Sequence, residues 1–302
     1  MSEGSRHETT MVRPCRAARQ SLEALATGAL WARACAGYLY WLVKERPPRR
    51  AGRVQAGDAA IFYRIYGSGD PVLLLHGGFM MAEAWFAQIP ALARRHLVVT
   101  PDSRGHGRSG SGAGPITYRR MAEDAACLIR ELGLAPAHVV GWSDGGTTAL
   151  ALAMQEPGLV RSLVLLGTPY NTSNYSPEAL LKMEDLLHPH SPETLALRAL
   201  RGLLNPERGS WPDFAARMGA MWRELPDFTA EELASVKAPT LVVACDRDEF
   251  LSAWPDPLKV FRETAEAIPG ARMESVRGGK HAVLLQRPHR INHLILGFLD
   301  SA

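Results

Sequence analysis

His138-Val-Val-Gly-Trp-Ser-Asp-Gly-Gly-Thr-Thr-Ala-Leu-Ala-Leu-Ala153 reads as a short apolar strand, a serine between glycines and an alanine-rich helix. Within it, Gly141-Trp142-Ser143-Asp144-Gly145 fits Gly-x-Ser-x-Gly. In that pattern small residues on either side let a strand reverse abruptly into a helix, which lifts the hydroxyl clear of the backbone. The helix N-terminus behind Ser143 would aim free N–H groups and a partial positive charge at an oxyanion formed there. A serine that merely caps a helix after a buried strand carries the same letters. The choice depends on whether the partners of a nucleophile occur elsewhere in the chain.

A serine hydroxyl is a poor nucleophile at neutral pH and needs a histidine to take its proton and a carboxylate to orient that histidine. Asp248 follows the apolar run 240–244, and His281 stands in Gly278-Gly-Lys-His281 after the run 272–276, giving the order serine, acid, histidine. Asp246 competes for the acid role; Asp248 is favoured because the acid must project from the loop beyond the strand. For the oxyanion, Asp144 offers the helix-start N–H, and Gly78 in His76-Gly77-Gly78-Phe79 offers the second, with Phe79 its rival. Phe79 and Trp142 are candidates for the substrate-pocket wall. His76 and His106, each beside glycine, read as loop braces, and Asp102, in the turn after the strand at 97–100, reads as structural.

Outward from the serine, apolar runs alternate with helical patterns. Strands are expected at 60–66, 71–75, 97–100 and 160–166, and helices at 82–94, 118–132 and up to about 155. Gly67-Ser-Gly-Asp70 reads as a hairpin turn between the first two strands. Such alternation implies a mostly parallel, doubly wound sheet covered on both faces. It stops between 168 and 236, where helical patches at 177–187 and 192–204 are broken by Pro189, Pro206 and Pro212, and an inserted helical cap is expected. The sheet resumes with strands at 240–244 and 272–276 and helices at 257–267 and up to 299. The expected division is 1–50 as a disordered start, an amphipathic helix and a linker, 51–167 and 237–302 as core, and 168–236 as cap.

Together, His76-Gly77-Gly78, Asp102-x-Arg104-Gly105-His106-Gly107-x-Ser109, Gly141-Trp-Ser-Asp-Gly-Gly146, Asp246-Arg-Asp248 and Gly279-Lys-His281 resemble the α/β-hydrolase fold enzymes, in particular the capped esterase and haloperoxidase-like group. The Gly-Trp-Ser-Asp-Gly-Gly and Gly-Lys-His segments are similar to those of the biphenyl-hydrolase-like amino-acid ester hydrolases of the valacyclovir hydrolase type. The resemblance spans 54–299. It implies a serine carboxyl-ester hydrolase with Ser143, His281 and Asp248 as triad, and in the latter family the residue matching Asp144 helps receive a substrate ammonium. A C–C bond hydrolase or a perhydrolase keeps the same triad, and a ligand-binding or scaffold protein on the same fold is a third class. Cys245 departs from the pattern, standing where glycine is usual.

At 302 residues and 46% hydrophobic content the chain can bury a sizeable core. Its net charge of +3 belongs to the start: residues 1–50 hold nine Lys/Arg against four Asp/Glu, leaving the other 252 at −2. No nucleic-acid surface is expected on the main body. No metal cluster or phosphate-binding loop is legible, so no cofactor is expected, and the partner is a small-molecule ester. Cys15, Cys35, Cys127 and Cys245 lack CxxC spacing and read as free thiols, which fits a cytoplasmic protein.

Ala18, Leu22, Leu25, Ala29, Ala32, Ala36, Leu39 and Val43 mark one face of a helix over 16–43. Arg33 lies near its middle and basic residues flank both ends. The segment can be a helix packed on the domain or on a partner, including a second copy, an interfacial membrane helix with Trp/Tyr anchors, or an uncleaved signal-like anchor.

Overall fold

The structure, a computed structural model, describes residues 36–37, 41, 47–188, 192–207 and 211–302. The chain divides into Met1–Glu45 and Arg46–Ala302, and the sheet, its helices and the loops carrying Ser143, Asp248 and His281 all belong to the second unit. The expected helix over 16–43 lies outside the described residues except for Ala36, Gly37 and Trp41, which are helical. Cys15 and Cys35 also lie outside them; Cys127 and Cys245 are free. Among the described residues no helix is long and apolar enough to cross a membrane.

Eight strands form one sheet: β1 (Arg50–Ala56), β2 (Ala59–Gly67), β3 (Asp70–Leu75), β4 (His96–Pro101), β5 (Ala137–Trp142), β6 (Val160–Leu166), β7 (Thr240–Cys245) and β8 (Arg272–Val276). Their order is β1-β2-β4-β3-β5-β6-β7-β8, with β1·β2 and β2·β4 antiparallel and the other pairs parallel. Helices α1 (Tyr118–Glu131), α2 (Asp144–Gln155), α3 (Pro177–Leu187), α4 (Pro192–Leu204), α5 (Trp211–Glu224), α6 (Lys259–Ala267) and α7 (Pro288–Leu299) complete the frame. β5 and β7 are buried at every residue, as strands covered on both faces must be. Helix α1 instead buries one stripe, including Met121, Ala125, Leu128 and Ile129, and starts where the Thr117 hydroxyl accepts from the Arg120 N–H.

Two expectations are corrected. Gly67 to Asp70 is not a hairpin turn, because β4 lies between β2 and β3; the hairpin joins β1 to β2 through Gly57 and Asp58. The edge strand β1 leaves little trace in the sequence because Arg50-Ala-Gly-Arg-Val-Gln-Ala56 is mostly exposed and lacks an apolar face. The helix expected over 82–94 is reduced to a 3₁₀ turn, Ala82–Trp85, and one α-turn, Ile89–Leu92, whose Pro90 fits only a first turn.

Helices α3, α4 and α5 occupy the stretch between β6 and β7. Asn205, just after α4, ties this stretch to the glycine-rich turn after β4, its side-chain amide donating to the carbonyls of Gly107 at 3.0 Å and Ser109 at 2.9 Å. That turn is itself braced by Asp102, which accepts from the Ala82 and Arg108 N–H groups at 2.8 Å each.

Candidate active site

Ser143 terminates β5 and precedes α2 with φ 55° and ψ −124°. Among the described residues only Phe79, at φ 57°, is another non-glycine with positive φ. Strain of this kind costs about 1–3 kcal/mol per residue and persists where the surroundings enforce it. Here they do: a Cβ at Gly141 would overlap the Gly145 backbone, and one at Gly145 would overlap the Leu75 and His76 carbonyls. The serine therefore stands on a turn that only glycines on both sides permit.

The loops after β3, β5, β7 and β8 meet at the carboxyl ends of the parallel strands, where open α/β sheets form their sites. Ser143 Oγ lies 2.9 Å from His281 Nε2, and His281 Nδ1 lies 2.9 and 3.0 Å from the two Asp248 oxygens. Asp248 is fully buried and is itself fixed by the N–H groups of Phe250 at 2.9 Å and Leu251 at 3.2 Å. Asp246 is spent elsewhere, accepting from the Gly278 N–H at 2.6 Å and so bracing the histidine's loop. With Nδ1–H donating to Asp248, Nε2 is free to accept from the serine hydroxyl. Burial alone would lower the His281 pKa, but Asp248, with Glu249 and Asp144 adding to it, leaves it raised.

The loop after β3 runs against Ser143: a Cβ on Gly77 would sit 3.2 Å from Ser143 Cβ, and one on Gly78 would press on the Asp144 carboxyl and the Trp222 ring. No backbone carbonyl among the described residues accepts from the N–H of Gly78, Phe79 or Asp144. The Phe79 ring packs into an aromatic cluster, with centroids 5.5 Å from Trp211, 5.4 Å from Phe214 and 5.1 Å from Trp222, all three on α5. Trp142 is 5% exposed, and its indole N–H donates to the His281 carbonyl at 2.8 Å, so it holds the histidine loop.

Asp144 is only 6% exposed, and both its oxygens are taken, one by the Tyr118 hydroxyl and one by the Trp222 indole N–H, each at 2.9 Å. Burial pushes its carboxyl up, against the pull of these two donors and of His281. His76 and His106 act as braces: His76 bridges the Gly77 carbonyl at 2.8 Å and the Ser103 N–H at 2.9 Å, and His106 bonds the Arg104 carbonyl at 2.9 Å.

Comparison with known proteins matches a family model described as the alpha/beta hydrolase fold to residues 70–210. RutD of Azorhizobium caulinodans, a provisionally named carbamate hydrolase, is 33% identical over 259 residues, spanning 80% of this chain and 96% of its own. The chain belongs to the α/β-hydrolase family. The (E)-2-((N-methylformamido)methylene)succinate hydrolase of Acinetobacter baylyi is a further relative of this α/β hydrolase, 30% identical over 259 residues that cover 79% of this chain and 94% of that one. Among solved structures, Est816, described as an N-acyl homoserine lactone degrading enzyme, superposes with a TM-score of 0.66 at 26% identity, covering 82% of this chain and all of its own.

Sequence reasoning missed three side chains of this α/β hydrolase's site. Glu249 accepts from the His281 backbone N–H at 2.9 Å, and its place beside Asp248 was a usable signal. Tyr118 and Trp222 reach Asp144 from 26 and 78 residues away, and nothing local in the sequence announces either.

Proposed function

We propose that this chain is a serine carboxylic-ester hydrolase working through an acyl-enzyme on small to medium esters. The observation that carries the reading is the unbroken relay from Ser143 Oγ through His281 to Asp248, with every step at 2.9–3.0 Å. Ser143 attacks the ester carbonyl as His281 Nε2 takes its proton. The N–H groups of Gly78 and Asp144 receive the oxyanion, Gly78 being preferred to Phe79 because its backbone packs against the Asp144 carboxyl, beside the residue that supplies the other N–H. The proton passes to the leaving alcohol, and water activated by the same histidine releases the acid.

We read α3 to α5 as a cap over the site, whose aromatic cluster favours apolar or aryl acyl groups. The closed pairing of Asp144 with Tyr118 and Trp222 argues against a substrate ammonium at that carboxylate. A nucleophilic serine also disfavours chemistry through an alkyl-ester intermediate, which needs a carboxylate there. C–C bond hydrolysis and perhydrolysis would use the same three residues, and a panel of esters, lactones, carbamates and vinylogous diketones separates them. A non-catalytic ligand-binding or scaffold role is disfavoured by the complete triad.

The test is hydrolysis of short p-nitrophenyl esters with covalent labelling by a fluorophosphonate. Turnover and labelling, both lost in Ser143→Ala, are the expected result; unchanged turnover in that variant would refute the reading.

A further inference from the structure

Two carboxylates, not one, converge on His281. The loop after β7 carries Asp248 to the imidazole Nδ1 and, one residue later, carries Glu249 Oε2 to the His281 backbone N–H at 2.9 Å. Satisfying an N–H needs only a neutral acceptor. A carboxylate in that position also brings negative charge beside a ring that becomes positive during the reaction. The other charged groups around this ring are Asp248, Asp144 on α2, and Lys280, which precedes it in the chain. Neutral neighbours include the rings of Phe250, with centroids 4.6 Å apart, and Trp142, at 5.8 Å.

We propose that Glu249 is a positioning residue for the proposed reaction, holding His281 by its backbone and stabilising the imidazolium formed as Ser143 is deprotonated. The inference rests on His281 being the base of the ester hydrolase proposed above. The proton moves from Ser143 Oγ to His281 Nε2 and then to the leaving alkoxide; Glu249 receives none and acts through charge and geometry. An accessory carboxylate of this kind raises the ring's proton affinity, matching the direction of the shift at His281.

Glu249→Gln separates the two contributions, because the amide oxygen can still accept the His281 N–H while the charge is gone. In the pH profile of kcat/KM, the acid limb should move to lower pH by about half a unit, and the plateau should fall several-fold because the imidazolium is less stabilised. Glu249→Ala, which loses the hydrogen bond as well, should lower kcat further with little change in KM. The His281 ring signals, assigned by their loss in His281→Gln, should titrate at lower pH in Glu249→Gln than in the wild-type protein, and this readout does not require turnover. An acid limb and a ring titration both unmoved in Glu249→Gln would overturn the proposal. Absence of esterase activity in the wild type, with the ring titration still displaced, would instead fault the assigned reaction.

Discussion

The indole of Trp222 donates to the Asp144 carboxyl at 2.9 Å, so a helix inserted between β6 and β7 is bonded to the residue that follows Ser143. The carboxyl is shut between this donor and Tyr118, against Gly78. Trp222→Phe keeps an aromatic ring but removes the indole N–H together with part of the ring volume, leaving a buried acceptor short of a partner. Such a loss costs about 1–3 kcal/mol. Urea unfolding should show that decrease, and kcat for p-nitrophenyl esters should fall with it, because the loop carrying Gly78 rests on the same carboxyl.

The same closure determines a specificity. A cationic substrate would have to displace two hydrogen bonds to reach Asp144, so kcat/KM for an amino-acid ester should be no greater than for its deamino counterpart. Paired measurements on an ester with and without its α-amino group check this, and a tenfold or greater preference for the amine would show that Asp144 opens to substrate.

Strain at the elbow gives a third expectation. Ser143 holds φ 55° in the native fold, a region glycine enters freely. Ser143→Gly should therefore abolish ester hydrolysis while raising stability by about 1 kcal/mol, once relief of strain is set against the larger entropy of the unfolded glycine. Chemical denaturation of the two proteins at pH 7 gives the comparison; a variant less stable than wild type would mean that the serine is not strained there.

How much of this was legible in the sequence depends on distance along the chain. The elbow is local, so glycine spacing around Ser143 gave both the turn and the strand–helix pair, and the observed helix Asp144–Gln155 ends where its pattern did. His281 and Asp248 were legible by their order and their loops. Choosing Asp248 over Asp246 needed a geometric argument, and the structure gives each a distinct partner. The swap of β3 and β4 was not legible, because hydrophobic pattern specifies that a strand is buried and not which strand lies beside it. The partners of the Trp142 and Asp144 side chains were not legible either: Trp142 bonds the His281 carbonyl and Asp144 bonds Trp222, both contributed from far along the chain.

Buried histidines make stability depend on pH. Burial lowers the pKa of His76 and His96, and takes His106 to about 3 and His138 to about 4. A histidine depressed on folding binds its proton more readily in the unfolded chain, so its contribution is fully present above the unfolded value of about 6.5 and is lost as pH falls toward the folded one. Each such group contributes a slope of up to about 1.4 kcal/mol per pH unit in that window. His138, bonded to the Ser162 hydroxyl at 2.7 Å, is the one to remove. His138→Gln retains a polar partner for Ser162 but cannot titrate. Urea unfolding of both proteins from pH 7 to pH 5 should show the wild type losing stability faster, by about one proton's slope; parallel losses would mean that His138 titrates normally.

The link from α4 to the glycine-rich turn should matter to the fold more than to the chemistry. Asn205 is 2% exposed and donates to the Gly107 and Ser109 carbonyls, with a longer contact of 3.4 Å to Gly105. These carbonyls belong to the turn that Asp102 braces, on the far side of which the Ser103 N–H donates to His76 in the loop leading to Gly78. Asn205→Ala leaves buried carbonyls without a donor and opens a small void, costing about 2–4 kcal/mol. Asn205→Asp is nearly isosteric but turns the donor into an acceptor facing carbonyl oxygens, so it should destabilise at least as much near neutral pH and partly recover as the pH is lowered and the carboxyl protonates. Thermal melts of the three proteins at pH 7 and pH 5 test this, and a Tm for Asn205→Ala within a degree of wild type would mean that the insertion is held on by its apolar contacts instead.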